Sequence, residues 1–140
     1  MNFVLDSSLT LAFVFQDEAT TDTDKILDSL GQGSKAFTAP LWRWEVGNAL
    51  LMAERRKRIM PADSQRHLTS LQLLPLELDD QASREAWHAT ILLARKHQLT
   101  LYDAAYLELS IRRGVALGSL DTDLRKAAKF EGVKLLPEKI

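Results

Sequence analysis

The segment "LTLYDAAYLELSIRRG" (Leu99–Gly114) carries an acidic residue on a side of a helix where an apolar residue is expected. At about 100° per residue, Asp103 shares a side with Leu107, whereas Glu108 and Arg112 point the opposite way, to the side that we expect to face solvent. An ionised carboxylate on an apolar face is costly unless another group compensates its charge. Asp103 is therefore a candidate for chemistry.

Glu45 interrupts an apolar stripe in the same way. In "PLWRWEVGNALLMAERRKR" it shares a helical side with Leu41, Ala49 and Met52, at steps of four, four and three residues. An acid in the first turn of a helix is stabilised by the helix dipole, but we expect such an acid to face water. Glu45 is thus a second candidate.

Two further acids follow predicted strands. Asp6 ends the apolar run "NFVL", and Asp121 follows "VALGS" by two residues. Ligands of open α/β sheets bind beyond the carboxyl ends of the strands, so both acids belong to that edge of the sheet. With Glu45 and Asp103 they form a candidate cluster of four carboxylates.

Four converging carboxylates repel one another and need compensation. Each pair at ~5 Å costs roughly 3 kcal/mol at an effective dielectric constant of ~20. Such a cluster persists only if some of its pKa values rise or a cation binds. Oxygen ligands select hard ions, so Mg²⁺ or Mn²⁺ is favoured over zinc. An ion of this kind polarises a phosphate and lowers the pKa of a bound water, which suits phosphoryl chemistry.

Most of these acids also have a simpler interpretation at a helix terminus. Asp6 and Asp121 are each placed to cap the helix that follows. In "TLYD", Asp103 is the third residue of a capping box with Thr100 as N-cap. These interpretations do not exclude a shared site, because a capping geometry also directs a carboxylate to one place.

Short apolar strands alternate with helical segments along the chain. The strands lack polar alternation, which predicts an α/β fold: a twisted, mainly parallel sheet of about five strands with helices on both faces. No repeat or linker interrupts residues 1–140, so we expect one domain, and Ser7 or Ser8 is the expected N-cap of the first helix. The predicted strands are Asn2–Leu5, Lys35–Ala39, Leu74–Leu78, Val115–Ser119 and Val133–Pro137. The later predicted helices are Thr21–Leu30, Pro40–Arg58, Pro61–Leu73, Asp80–His97, Leu99–Gly114 and Asp121–Phe130.

Composition excludes several classes of protein. A chain of 140 residues buries enough surface to fold without a disulfide or a structural metal. Without cysteine, a thiolate metal site is excluded, and the cytoplasm is the expected compartment. We find no signal peptide and no long apolar run, and expect no membrane association. Because the formal net charge is −1, binding of nucleic acid must depend on local patches.

Four short motifs resemble the successive acidic motifs of a known family. They are "VLDSS", "WEVGNAL", "TLYDAAYLEL" and "GSLDTDLRKAA". Each motif alone is weak, but their order and spacing resemble those of PIN-domain ribonucleases over essentially the whole chain. The length most resembles the VapC-type toxins of bacterial toxin–antitoxin pairs.

The resemblance implies a PIN-like three-layer fold, an acidic pocket for Mg²⁺ with Mn²⁺ as a substitute, and endonucleolytic cleavage of RNA. It also implies a homodimer and a cognate antitoxin protein. The toxin would contact DNA only indirectly, through this antitoxin. The family's four acidic positions match Asp6, Glu45, Asp103 and Asp121. Asp6, Asp103 and Asp121 are the implied metal ligands, and Glu45 is the group implied to orient or deprotonate the attacking water.

Four further residues are candidates for a supporting role: Ser7, Asn48, Ser119 and Asp123. Ser119 lies where the family often has threonine, and its hydroxyl can serve the same orienting purpose. Asp123 is either an outer-sphere carboxylate or, as we favour, a first-turn helix acid.

Other functions remain open. A catalytically silent PIN-like module that binds RNA or a partner has the same sequence features. Receiver domains and aspartyl phosphatases also have acidic pockets, but "DSS" lacks the Asp-x-Asp of the phosphatases, and the acidic pair and late lysine of receivers are not evident.

Charged and aromatic residues outside the cluster are less informative. "ERRKR" (Glu54–Arg58) and Arg112–Arg113 are expected to be solvated helix ends, with contacts to RNA phosphates or the antitoxin as the alternative. Lys126 and Lys129 are most simply surface charge, and no role is assigned to the three histidines. The tryptophans on helices are expected in the core, with a groove for the antitoxin as the alternative. They are Trp42, Trp44 and Trp87.

Overall fold

The computed structural model describes all 140 residues and contains one five-stranded sheet. The strands are β1 (Asn2–Leu5), β2 (Lys35–Thr38), β3 (Leu76–Leu78), β4 (Ala116–Gly118) and β5 (Leu135–Leu136). The helices are α1 (Ser7–Val14), α2 (Thr21–Leu30), α3 (Leu41–Arg55), α4 (Pro61–Gln72), α5 (Gln81–Glu85), α6 (Ile91–His97), α7 (Leu101–Arg113) and α8 (Thr122–Phe130). Every strand pair is parallel, in the order β3-β2-β1-β4-β5, so the predicted sheet is confirmed.

The strand order distributes the helices over both faces of the sheet. From β1 the chain moves outward through β2 to β3, then crosses back to β4 and continues outward to β5. Such parallel connections are right-handed in nearly all proteins, so α1–α4 lie on one face and α5–α8 on the other. The direction of winding reverses between β1 and β4. Open α/β sheets bind ligands in the crevice beyond the strands at such a reversal.

Close packing brings the carboxyl ends of β1 and β4 together. Phe3, Val4 and Leu5 are fully buried in a core of 24 apolar residues. A Cβ atom on Gly118 would lie 2.7 Å from Cδ2 of Leu9, so a larger residue at this position would displace the Leu9 side chain of α1. The Asp6 N–H donates to the Gly118 carbonyl at 3.1 Å. None of the helices has the length and apolar character that crossing a bilayer requires.

Two local predictions are wrong. The N-cap predicted at Ser7 or Ser8 is wrong, whereas the capping interpretation of Asp6 is confirmed: Asp6 is the extended residue between β1 and the helix, and its carboxylate accepts from Leu9 N–H at 2.9 Å. The single helix predicted over Asp80–His97 is divided by a π-helical turn at Ala86–Thr90. Single π-helical turns occur inside α-helices, and the sequence analysis did not anticipate this one.

The side of α7 opposite Asp103 faces protein, contrary to the prediction that Glu108 and Arg112 face solvent. Glu108 is 3% exposed and accepts two hydrogen bonds from Arg112. The same guanidinium donates at 2.8 and 3.0 Å to Asp79, which is 2% exposed at the end of β3. Burial alone would raise the pKa of Asp79, but hydrogen bonds from Arg112 and Arg113 hold it below its usual value. The polar side of α7 is thus an internal ion-pair network.

Two of the three tryptophans do not enter the core. Trp42 is buried, and its indole N–H donates to the Thr10 hydroxyl at 2.8 Å. Trp44 and Trp87 are 81% and 82% exposed, so the core prediction is wrong for both. The helix that carries Trp44 begins at Leu41, which places Glu45 in the second turn and removes the first-turn explanation for this acid.

Replacing Arg112 with methionine should lower the free energy of unfolding by about 2–4 kcal/mol, because Asp79 and Glu108 would lose their shared cation while buried. Since the pKa of Asp79 is lowered in the folded state, this stabilisation is present at neutral pH and lost as the pH falls below about 4. Urea unfolding at several pH values measures both effects. Arg55→Met, which removes an exposed arginine without an ion pair, should change stability by less than about 0.5 kcal/mol. Equal effects of the two substitutions would contradict a role for the network.

Candidate active site

Asp6 is a buried carboxylate at the carboxyl end of β1. It is 2% exposed, and its two oxygens lie 2.8 and 2.9 Å from the Ser8 hydroxyl, which donates to the carboxylate. Burial raises the pKa of Asp6 to about 6, against the opposing effect of hydrogen bonds from Leu9, Ser119 and Ser8. The charge of Asp103 raises this pKa further. An anion held at such a cost is expected where a cation binds.

Ser8 joins the end of β4 to the start of α1. Its hydroxyl accepts a hydrogen bond from Leu120 N–H at 2.8 Å and lies 3.3 Å from the Ser119 hydroxyl. The Ser119 hydroxyl in turn accepts from Asp121 N–H at 3.1 Å. Two serines therefore connect Asp6 with Asp121 across the crevice.

Asp121 is the N-cap of α8, as the simpler interpretation predicted. One carboxylate oxygen accepts from Leu124 N–H at 2.8 Å, and the other accepts no hydrogen bond. The cap thus uses half of the carboxylate and leaves the remaining oxygen available to a ligand.

Glu45 is positioned by Tyr106 of α7. The Tyr106 hydroxyl donates to Oε1 of Glu45 at 2.6 Å, while Oε2 accepts no hydrogen bond. Burial and this hydrogen bond raise the pKa of Tyr106 above its ordinary value, so its hydroxyl remains a donor. The contact joins the helices of opposite faces above the edge of the sheet.

Asp103 lies among the other acids, in the first turn of α7. Thr100 is the N-cap of this helix and accepts from Asp103 N–H at 3.1 Å, so the capping interpretation is confirmed for the backbone. Burial, followed by the charges of Asp121 and Glu45, raises the pKa of the Asp103 carboxyl. The charge of Asp123 acts in the same direction. The structure therefore brings the four acids into one electrostatic environment centred on Asp103.

The donor set fits a hard divalent cation. All candidate ligands are oxygens, and one oxygen each of Glu45 and Asp121 has no hydrogen bond. As the side chains stand, no three acidic or histidine groups are close enough to hold one ion together. Mg²⁺ is commonly bound through one or two carboxylates and several waters, which this arrangement allows.

Arg125 places a buried guanidinium behind the acids. Arg125 is 8% exposed. Its guanidinium donates to the carbonyl oxygens of Ser119 and Pro137 at 3.0 and 2.8 Å, and to that of Glu138 at 3.2 Å. Burial lowers its pKa, and the charge of Asp6 counteracts this. Arg125 therefore holds the segment after β4 against the C-terminal segment and supplies a positive charge near Asp6.

The candidate supporting residues differ in their positions. Ser119 belongs to the serine bridge, and Ser7 lies beside the Tyr106 hydroxyl. Asp123 is exposed in the first turn of α8, where its charge reaches Asp103. Asn48 is exposed, borders a groove between α3 and α4, and makes no hydrogen bond to the acids.

Sequence reasoning missed the positions of Ser8, Tyr106 and Arg125. Ser8 lies in "DSS" and was weighed only as a helix cap, and Tyr106 lies one turn after Asp103 on the same side. That periodicity was the available signal for Tyr106. Nothing in the sequence marks Arg125, because its partners are backbone carbonyls.

Residues 3–130 match the family described as PIN domain. The chain belongs to the PIN domain family. It is similar to Ribonuclease VapC3 of Pyrobaculum aerophilum, with 29% identity over 130 residues that cover 93% of this chain and 95% of the relative. The crystal structure of PAE2754 from the same organism has a TM-score of 0.70 at 24% identity, covering 98% of this chain and 93% of that one. The crystal structure of VapBC2 from Rickettsia felis bound to a DNA fragment from their promoter has a TM-score of 0.66 at 12% identity. This match covers 96% of this chain and 97% of that one. The two structural matches show a shared fold.

Replacing Asp103 with asparagine should stabilise the protein in the absence of metal at pH 7–8. The pKa of Asp103 is raised in the folded state, so its ionised form opposes folding, and the gain should vanish as the pH falls below about 4. We expect less than about 1 kcal/mol, because solvent screens a half-exposed carboxylate. Thermal unfolding in EDTA measures the change. Asp22→Asn removes a first-turn acid of α2 and should instead destabilise slightly, so a loss of stability in both variants would contradict repulsion at Asp103.

Ser8→Ala should lower the free energy of unfolding by about 1–3 kcal/mol, since Leu120 N–H and the Asp6 carboxylate both lose a partner. Ser7→Ala, at the neighbouring and more loosely held serine, should cost less than about 0.5 kcal/mol. Urea unfolding of the pair tests the bridge. A larger effect of Ser7→Ala would overturn it.

Proposed function

We propose that this protein is a metal-dependent endoribonuclease that acts as the toxin of a toxin–antitoxin pair. The observation that carries the proposal is the placement of Asp6 and Asp121 just after the adjacent strands β1 and β4, together with the charges of Asp121 and Glu45 that act on Asp103. Membership of the PIN domain family and similarity to a protein named Ribonuclease VapC3 support it.

Each acid has a separate task in the proposed reaction. Asp6 and Asp103 would hold Mg²⁺, or Mn²⁺ in its place, and Asp121 would contribute directly or through water. The bound ion would polarise the phosphate, lower the pKa of a water and stabilise the leaving oxygen. Because the pKa of Asp6 is about 6, this carboxylate is largely ionised above pH 7 and ready for a cation.

Glu45 orients the attacking water or accepts its proton. Tyr106 donates to Oε1 and thereby fixes the carboxylate, while Oε2 is free to accept a hydrogen bond from water. General bases act from hydrogen-bond distance of the proton that they abstract, so the orientation of Glu45 matters as much as its charge.

The proposed partners are an RNA substrate, a second copy of the chain and a cognate antitoxin protein, and cleavage of RNA would inhibit growth. The Rickettsia felis relative is a VapBC complex bound to DNA, which supports an antitoxin partner and contact with DNA through that partner. A catalytically silent PIN domain that binds RNA or a partner is the competing outcome of the tests below.

Millimolar Mn²⁺ should raise the unfolding midpoint of the wild type by about 3–8 °C, because a ligand of the folded state stabilises it by mass action. Asp103→Asn should lose most of this increase. The thermal midpoint is measured with and without EDTA, and Asp22→Asn, far from the acids in sequence, should respond like the wild type. Equal shifts in all three proteins would reject a metal site at Asp103.

RNA cleavage at pH 7.5 should require Mg²⁺ or Mn²⁺ and should fall by at least about 100-fold in Asp103→Asn, since the ion contributes several kcal/mol to the transition state. Labelled RNA resolved on denaturing gels gives the rates. Asp123→Asn should retain most activity if Asp123 is only a first-turn helix acid. Metal binding by the wild type without any cleavage would favour the silent module.

A further inference from the structure

An open cleft separates the C-terminal end of α6 from α8. We call it the α6–α8 cleft; one wall is Lys96–Gln98 and the other consists of side chains within Asp123–Phe130. Its volume is about 670 Å³, within the range of ligand-binding clefts. None of the roles derived for the four acids uses its lysines.

The cleft is positively charged although the chain as a whole is not. Lys126 and Lys129 are exposed on α8, and neither takes part in an ion pair. Lys96 on the opposite wall is paired with Glu131 at 2.7 Å. Two lysines about one helical turn apart are thus left without an ion pair, and Asp123 is the acid that lines the same cleft.

An aromatic ring lies at the far end of the cleft. Phe130 is 73% exposed, and the edge-on imidazole of His97 is 5.5 Å from its ring centroid. The Lys96 ammonium is 5.0 Å from the same centroid, and both side chains are tied to Glu131. The orientation of an exposed ring is therefore fixed by its neighbours. Exposed aromatic rings beside lysines are typical of surfaces on which unpaired bases stack.

Both walls lead to the acidic cluster. Asp121 caps α8 and precedes the cleft residue Asp123 by two positions. On the other wall, Gln98 is followed by the N-cap Thr100 and then by Asp103 in the first turn of α7. A strand with a phosphate at the acids would have a direct path along α8.

We propose that the α6–α8 cleft binds the nucleotides next to the cleaved phosphate of a single-stranded RNA. Lys126 and Lys129 contact successive phosphates, and Phe130 stacks on an unpaired base. A duplex does not fit this description, because its bases are already stacked on each other. The inference rests on the proposed function. It assigns the direction in which the bound RNA strand extends away from the four acids.

The test uses a fluorescein-labelled, unstructured RNA of about 12 nucleotides, and Asp103→Asn as the background so that the probe is not cleaved. Lys126→Gln/Lys129→Gln should weaken binding at least tenfold by anisotropy. It should also reduce the slope of log Kd against log salt by about 1.4, since two phosphate contacts are lost. Phe130→Leu should weaken binding about tenfold without changing the salt slope.

Lys25→Gln/Lys134→Gln removes two exposed lysines elsewhere and is the control for net charge, with an expected change below about twofold. In the otherwise native protein, the cleft variants should raise KM more than they lower kcat. They should keep the wild-type stabilisation by Mn²⁺, which separates a lost RNA contact from a damaged metal site.

Four results would overturn the proposal. If the wild type cleaves RNA and the cleft variants bind it normally, the cleft is not on the path, while the proposed function stands. If the wild type binds a duplex of the same length as tightly as the single strand, the single-stranded substrate is rejected. If the cleft variants lose as much affinity for polyglutamate as for RNA, the cleft is assigned to an acidic protein segment. If the wild type neither binds nor cleaves RNA with Mn²⁺ present, the proposed function fails together with the inference.

Discussion

Helix caps hold a group of mutually repelling carboxylates at one edge of the sheet. Asp6 caps α1 and Asp121 caps α8, while Asp103 follows the cap of α7. A good N-cap contributes about 1 kcal/mol, which offsets part of the cost of placing like charges together. Capping leaves one carboxylate oxygen of Asp121 without a hydrogen bond, whereas both oxygens of Asp6 accept from the Ser8 hydroxyl. The rest of the fold has to bring three helix starts to the same place.

The parallel sheet accomplishes this by its winding. Because the direction reverses between β1 and β4, the segments that leave these strands diverge to opposite faces and open a crevice between them. Ser8 and Arg125 bridge the segments beside this crevice: the serine joins α1 to the end of β4, and the arginine joins that end to the C-terminal segment. On the other side of α7, Arg112 neutralises two buried acids and keeps the helix in register with β3. Buried polar contacts of this kind restrict where Asp103 can lie.

Opposite charges are sorted over short distances around the site. Candidate acids follow β1 and β4, while two lysines without an ion pair line the α6–α8 cleft, in a chain whose net charge is only −1. The proposed cleavage of a polyanion would use both regions: the acids would hold a cation at the reacting phosphate, and the lysines would contact the neighbouring phosphates. The net charge of the chain does not reveal this local separation of charges.

The sequence by itself determined the parallel α/β architecture and the four acids, because apolar runs, helical periodicity and terminal carboxylates are local patterns. It also indicated the caps at Asp6, Asp121 and Thr100. Helical-wheel reasoning placed Asp103 correctly, but it assigned Glu108 and Arg112 to solvent, because a wheel assumes one buried side and α7 has two. Contacts between residues distant in the chain determine whether Trp44 is buried or exposed. They also determine which serine hydroxyl donates to Asp6. Only the tertiary structure decided these points. Arg112 pairs with a buried acid from another element, and Arg125 donates to carbonyl oxygens of the C-terminal segment. Such partners are neighbours in space that the linear order of residues does not reveal.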